Sequence, residues 1–369
     1  NNKDARFIGA EGVKKHKKPG WREWVDAAIF AIVAATLIRV FVFEAYTIPS
    51  SSMEKTLLVK DFLFVSKFSY GPRVPNTPLS IPFIHNYTPV LNTKSYSTLV
   101  ELPYIRWFAS PVKRNDCVVF NFPLGDTVIH ADGFESLNPY ADVKRFAQMG
   151  DVNSQNVLNS PEQFPVVVHP VDKTDNYIKR CVAVAGETIK IVNGILYVND
   201  QPGYVPPTSA TFYFFRTKGN AIVSEDDLRD AGIRITTQTP GGDIQGGGGG
   251  MYKINVTPSE LEILKKLPAV DPASITREIA DSSESIMIFP YYDTVHKWSR
   301  DNFGPVWIPK KGASLTLTPE NIPMYKRAIE TYERNSFEDR GGRYFINGKE
   351  AKTYTFKYDY YWMMGDNRH

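Results

Sequence analysis

Three consecutive serines, Ser50, Ser51 and Ser52, stand in the stretch Ile48-Pro49-Ser50-Ser51-Ser52-Met53. A serine hydroxyl is a weak nucleophile until a neighbouring base takes its proton. The histidines His16, His85, His130, His169, His296 and His369 are scattered, and none stands in a recognisable catalytic setting, so a Ser-His-Asp arrangement has no support. Lysine is the other source of a base. Lys179 lies in the strand-like run Tyr177-Ile178-Lys179-Arg180-Cys181-Val182-Ala183-Val184. Strand parity groups it with Tyr177, Cys181 and Ala183, and groups Arg180 with Ile178, Val182 and Val184, so parity leaves open which of the two is turned inward. Burial disfavours the charged form of a lysine. Moving its pKa from about 10.4 to near 7–8 costs roughly 4 kcal/mol at ~1.36 per unit, which suits a neutral general base better than a structural lysine. Composition alone favours the plainer reading, a snorkelling lysine beside a surface arginine.

The serines follow closely on an apolar run, Val25 to Phe43, VDAAIFAIVAATLIRVFVF. About nineteen residues at ~1.5 Å each give roughly 28 Å of helix, enough to span a bilayer's hydrocarbon. Ala27 to Ile38 carries no charge, and Asp26 and Arg39 fall near the ends, where they reach the headgroups. Trp21 and Trp24 fall in the interfacial aromatic belt, and Lys14, Lys15, Lys17, Lys18 and Arg22 lie before the run. The positive-inside rule then expects a cytoplasmic basic segment at 1–20, a transmembrane signal-anchor helix at 21–44, and the rest of the chain across the membrane. A cleaved secretory signal is the competing reading, but no small-x-small site follows the core, which continues as Phe43-Glu44-Ala45-Tyr46. The first residue is Asn1 and not Met, so a preceding segment is expected.

A length of 369 residues suits two ordinary domains. The net charge of +3 is too balanced to argue for nucleic acid. Aromatic content of 13%, with 26 Pro and 25 Gly, suits a β-rich chain with many turns. Cys117 and Cys181 form no C-x-x-C pair and have no nearby histidine, so neither a zinc site nor any other metal or cofactor is expected, and their spacing gives no support to a disulfide.

Asp61 to Lys67 reads as a short strand, and 70–112 as loop. Within that loop the run Tyr104-Ile105-Arg106-Trp107-Phe108 is expected in the core, with a dip into the outer leaflet as the alternative. Asp116 to Phe122 reads as a buried strand, and 124–165 shows no usable periodicity. Asn193-Gly194 and Asn347-Gly348 each sit between β-like runs and predict hairpins. Between the hairpins, 200–342 is expected to be an inserted, non-catalytic α+β domain. Thr257-Pro258-Ser259-Glu260 and Thr318-Pro319-Glu320 read as helix starts, the first with a full capping box. The glycine-rich stretch 241–250 is expected to be a mobile surface loop, because no Lys-Ser/Thr follows to make it a phosphate cradle.

Four boxes in this order resemble those of the type I signal peptidases. Pro49-Ser50-Ser51-Ser52-Met53-Glu54-Lys55-Thr56-Leu57, continued by Asp61-Phe62-Leu63-Phe64-Val65, resembles their nucleophile box. Asp116 to Pro123 resembles the next, Tyr177 to Val182 with Gly186-Glu187 the base-bearing one, and Met363-Met364-Gly365-Asp366-Asn367-Arg368 the last. The boxes cover about a fifth of the chain and leave the insert out. The resemblance implies a Ser/Lys dyad: Ser52 as nucleophile, Lys179 as general base, and Ser50 donating to the oxyanion with the Ser52 backbone N–H. It also implies that Gly365 lets the last strand approach the lysine, and that Arg180, Asp366 and Arg368 support the site's wall. Ile48, Pro49, Val119, Tyr177 and Ile178 would line shallow pockets for small substrate residues at −1 and −3, with Tyr46, Met53 and Leu57 beside them.

The implied protein is mostly β, with an N-terminal transmembrane helix and an antiparallel catalytic domain from 45–199 and 343–369. It would be a membrane-anchored serine endopeptidase of the bacterial plasma (inner) membrane, its catalytic domain on the outer face. Its partners would be the signal peptides of exported preproteins and the lipid bilayer, with no nucleic acid and no cofactor. Ser51 stands where the family usually has Gly, and Ala185-Gly186-Glu187 where it has Pro-Gly-Asp. The chain stops at His369, where the family continues with a strand's worth of Asn-Ser and Asp-Ser-Arg, so a following segment is expected. A self-cleaving repressor uses a similar dyad, but a membrane helix stands where its DNA-binding helices would be. An anchored binding or assembly protein without protease activity is the reading from another class.

Overall fold

The structure, a computed structural model, describes residues 19–135, 137–236, 242–283, 288–291 and 295–368. Its N-terminal element is the helix Gly20–Phe41, of mean hydropathy 1.9, with no buried residue. No proline or glycine interrupts it after Gly20, and Pro19 precedes its first turn, where a missing N–H is harmless. It is long and apolar enough to cross a membrane. The helix ends at Phe41, three residues short of Glu44, because Phe43–Thr47 is taken into an antiparallel pair with Phe62–Ser66. Glu44 secures the corner by accepting from Arg39 Nε and Lys67 Nζ, both at 2.7 Å.

That pair fixes the serine turn. Thr47 lies opposite Phe62, and the Ile48 N–H donates to the Asp61 carbonyl at 3.0 Å, so residues 49–60 form the closed end of a hairpin. Lys179 sits on a second sheet, in which the strand Asn176–Ala183 runs antiparallel between Cys117–Asn121 and Trp362–Met364. Beside it, Thr188–Val192 and Ile195–Val198 form the predicted hairpin. Asn193 and Gly194 take the left-handed conformation (φ 48° and 74°) that this tight turn requires. Phe303–Trp307, from within 200–342, pairs with Thr188–Val192, and Val182, Ile189, Ile191, Leu196, Phe303 and Val306 make a shared core. The second predicted hairpin, Tyr344–Ile346 with Lys349–Glu350, packs into a neighbouring core around Ile329 and Phe356.

The remainder of 200–342 holds a sheet in the order Ile244–Gly246, Met251–Val256, Ala210–Thr217, Val270–Arg277, over a core of Phe215, Leu228, Ile233, Ile254 and Leu264. Asn367–Arg368 joins it in parallel beside Ala210, tying this sheet to the end of the lysine sheet. Within the glycine-rich stretch, whose Gly241 lies outside the described residues, Ile244–Gly246 is an edge strand and not loop, and the glycines after it make an exposed turn. Ile244 pairs with Ile254 and Gly246 with Tyr252, and the glycines supply left-handed turn positions. Thr257 and Glu260 make both bonds of the expected capping box on the helix Pro258–Leu264. The second helix starts later than Thr318: Asn321 and Thr318 bond each other's backbone as a turn, and the helix is Ile322–Arg327.

Residues 124–165 carry two short helices, Tyr140–Gln148 and Val152–Asn159, too brief for periodicity to reveal. Loop 70–112 contains only isolated bridges. Its aromatic run is not core: Phe108 is 93% exposed, and Tyr104 and Trp107 are exposed too. The backbone there is tied to Pro72, leaving the side chains outside, and Trp107 stacks on Phe41 at the helix exit. The fold is thus mostly β, with an apolar N-terminal helix, antiparallel sheets and an α+β stretch within 200–342.

Candidate active site

Ser51–Met53 is one 3-10 turn, preceded by Ser50 in an extended conformation. Met53 is fully buried and pins the turn, while Ser50 stays exposed and Ser52 half-buried. Across from it, Lys179 is held directly opposite Val118 in the strand register, and its Nζ is hydrogen-bonded to Ser52 Oγ. Desolvation holds the Lys179 pKa below that of an ordinary lysine, against the opposing charge of Asp366. Ser50 Oγ lies 3.4 Å from Ser52 Oγ, on the open side of the pair. The ambiguity of parity is resolved: Lys179 meets the serine, and Arg180 turns the other way. The Arg180 guanidinium makes a fork to Asp366 at 2.8 and 2.6 Å and donates to the Asn115 carbonyl. Among the described residues no histidine bonds either Ser52 or Lys179. His169 is buried against Tyr96 (Nδ1 to the hydroxyl, 2.6 Å), with its pKa pushed down to about 4 chiefly by burial.

A family model described as signal peptidase, peptidase S26, matches residues 21–213, more than half of the chain. The chain belongs to the signal peptidase family. Among curated proteins it is similar to "Signal peptidase I" of Rickettsia akari, 26% identical over 212 residues, 58% of this chain and 51% of that protein. The protein of the same name from Rickettsia felis is 26% identical over 184 residues, 50% of this chain and 45% of that one. The chain thus spans about half the length of the curated relatives it matches. No solved structure matches it.

The last box of the chain meets the serine turn in a way the sequence did not specify. The resemblance has Gly365 approaching the lysine, but its close neighbour is the Ser52 carbonyl oxygen, which a Cβ at 365 would overlap. Asp366 is fully buried and braces two parts of the site, since it also accepts from Thr56 Oγ1 at 2.8 Å. Its partner is Arg180. Arg368 instead donates to the Gly365 carbonyl, and burial pushes its pKa down to about 10. Asn367, not singled out in the sequence, donates from Nδ2 to the Ser51 carbonyl at 3.1 Å. Nothing in its local sequence marks that contact.

A groove of about 1070 Å³ opens between the helix exit, loop 70–112 and the lysine sheet. Of the expected substrate-contacting residues, Tyr46, Leu57, Val119 and Ile178 line it. Ile48 and Met53 are buried beneath the turn, Pro49 is exposed beside it, and the Tyr177 ring lies 5.9 Å from Lys179 Nζ. Cys117 and Cys181 are both free; Cys117 stands opposite Arg180 and Cys181 opposite Met363.

Proposed function

We propose that this protein is a membrane-anchored serine endopeptidase that removes N-terminal signal peptides from exported preproteins. The observation that carries the reading is the Lys179–Ser52 hydrogen bond, in a chain of the signal peptidase family, with the lysine pKa lowered by burial. Neutral Lys179 takes the Ser52 proton as Oγ attacks the scissile carbonyl. The oxyanion is held by the Ser50 hydroxyl and the Ser52 backbone N–H. Lys179 then gives the proton to the departing amine, and afterwards activates the water that releases the acyl group.

The apolar helix fixes the site at one height beside the bilayer, where the bond after a membrane-embedded signal core must lie, which raises effective concentration. Exposed Phe62, Phe64, Phe68 and Phe108 near the helix exit support contact of this face with the outer leaflet of the plasma membrane. In this reading an extended segment, with small residues at −1 and −3 as the family resemblance implies, lies along the groove lined by Tyr46, Leu57, Val119 and Ile178.

Preprotein cleavage by the detergent-solubilised protein tests the mechanism. Ser52→Ala and Lys179→Arg both abolish cleavage with insertion intact, since a guanidinium does not surrender its proton. Ser50→Ala lowers the rate by on the order of 10²–10³. Because the free base is the active form, kcat/KM rises as pH climbs through the lowered lysine pKa. An active Lys179→Arg protein would sink the mechanism.

A further inference from the structure

The serine turn is not held by the catalytic sheet alone. Lys55, three residues after Ser52, has a left-handed backbone (φ 68°) and a side chain 2% exposed. Its ammonium donates to the Asn255 carbonyl at 2.8 Å and to Glu260 Oε2 at 2.7 Å. Glu260 is itself held by backbone bonds. Its carboxylate accepts the backbone N–H groups of Thr257 at 2.8 Å and Arg234 at 2.9 Å, as the capping residue of the helix Pro258–Leu264. Burial pushes its pKa up, but the Lys55 charge and these bonds together bring it below the ordinary carboxylate value.

A second line starts from the same strand. The Asn255 side chain, fully buried, donates to Asn367 Oδ1 at 3.0 Å, and Asn367 donates to the Ser51 carbonyl. A third joins Thr56 Oγ1 to Thr208 Oγ1 at 2.5 Å. Residues 51, 55 and 56 are thus each tied, directly or through Asn367, to 200–342. The turn has a fixed side facing that segment and a reactive side facing Lys179.

We propose that 200–342 positions the nucleophile turn through the buried Lys55–Glu260 ion pair and the Asn255–Asn367 bridge, with Glu260 and Asn255 as positioning residues for Ser52. This rests on the reading of Ser52 as nucleophile. A base and nucleophile misaligned by about 1 Å lose on the order of a hundredfold in rate, so a lost tether falls on kcat and leaves KM nearly alone.

The test separates positioning from mere stability, using the full chain in detergent with a preprotein substrate. Glu260→Gln leaves a buried, unpaired ammonium and lowers both the melting temperature and kcat. Lys55→Met/Glu260→Gln removes both charges and keeps one of the two oxygens that accept backbone N–H groups from Thr257 and Arg234. Its melting temperature is expected to rise above that of Glu260→Gln, while kcat stays at least about tenfold down and KM moves less than about twofold. Asn255→Ala, which leaves both charges in place, is expected to lower kcat by about tenfold through the other line. A double variant whose kcat recovers along with its stability, or wild-type kcat in Asn255→Ala, overturns the proposal. Ser52→Ala is run in parallel: undiminished cleavage there refutes the nucleophile assignment itself, a failure read from a different variant.

Discussion

Lys179 carries the chemistry proposed here because of where it is buried, and the same burial has a thermodynamic signature. Its pKa is below the ordinary 10.5, chiefly through desolvation. Between the lowered folded value and 10.5 the unfolded chain binds more protons than the folded one, so the site's contribution to stability rises with pH through that window. Lys179→Met is therefore expected to be more stable than the parent at neutral pH, with the advantage shrinking as pH approaches 10.5. Chemical denaturation at several pH values checks this, and a gap that does not vary with pH would mean a lysine titrating normally. Gly365 makes a separate prediction. A methyl group there overlaps the Ser52 carbonyl, so Gly365→Ala costs about 1–3 kcal/mol of stability and on the order of a hundredfold in cleavage rate. Unchanged cleavage by that variant would show that the turn shifts freely.

At the scale of elements, short-range turn chemistry was legible and longer organisation was not. Asn193-Gly194, Asn347-Gly348 and the Thr257–Glu260 capping box each encode their geometry within a few residues, and each forms. The glycine-rich stretch misleads because glycine lowers the cost of both disorder and left-handed turns, and only the pairing of Ile244–Gly246 with Met251–Val256 selects the turn. Gly246 has φ 93°, and a Cβ there would come within 2.7 Å of the Met251 carbonyl oxygen. Gly246→Ala is expected to destabilise the protein by roughly 1–3 kcal/mol in urea titration. A neutral result would mean that this hairpin is looser than described.

For the whole molecule, the apolar helix, the exposed Phe62 and Phe64 strand face and the loop bearing Phe108 gather at one end. Loop 70–112 places its aromatic run outside because the run's backbone bonds to Pro72 and Val74 of the same loop, not to a sheet. The variant Phe62→Ser/Phe64→Ser/Phe108→Ser is expected to cleave a preprotein embedded in vesicles several-fold more slowly than the parent. Cleavage of a short soluble peptide is expected to slow less, through Phe64 alone, which also lines the groove, because Phe62 and Phe108 lie outside both the groove and the Ser52–Lys179 pair. Phe62→Ser/Phe108→Ser, which leaves the groove intact, isolates the membrane effect, and equal slowing of that variant on both substrates would count against membrane contact by this face.

The sequence by itself determined what local pattern can carry: an apolar helix of spanning length, the alternating strands, two tight hairpins, a capped helix, and the boxes that hold Ser52 and Lys179. Tertiary structure alone decided which face of Asn176–Ala183 turns to the serine, since alternation treats Lys179 and Arg180 alike. It also decided that Asp366 pairs with Arg180, that Asn367 holds Ser51, and that Glu260 reaches Lys55. These contacts join residues separated by long stretches of chain, and no period or spacing records which distant partner will meet when the sheets close. Burying each charge and amide makes a partner necessary, but only the packed sheets supply one.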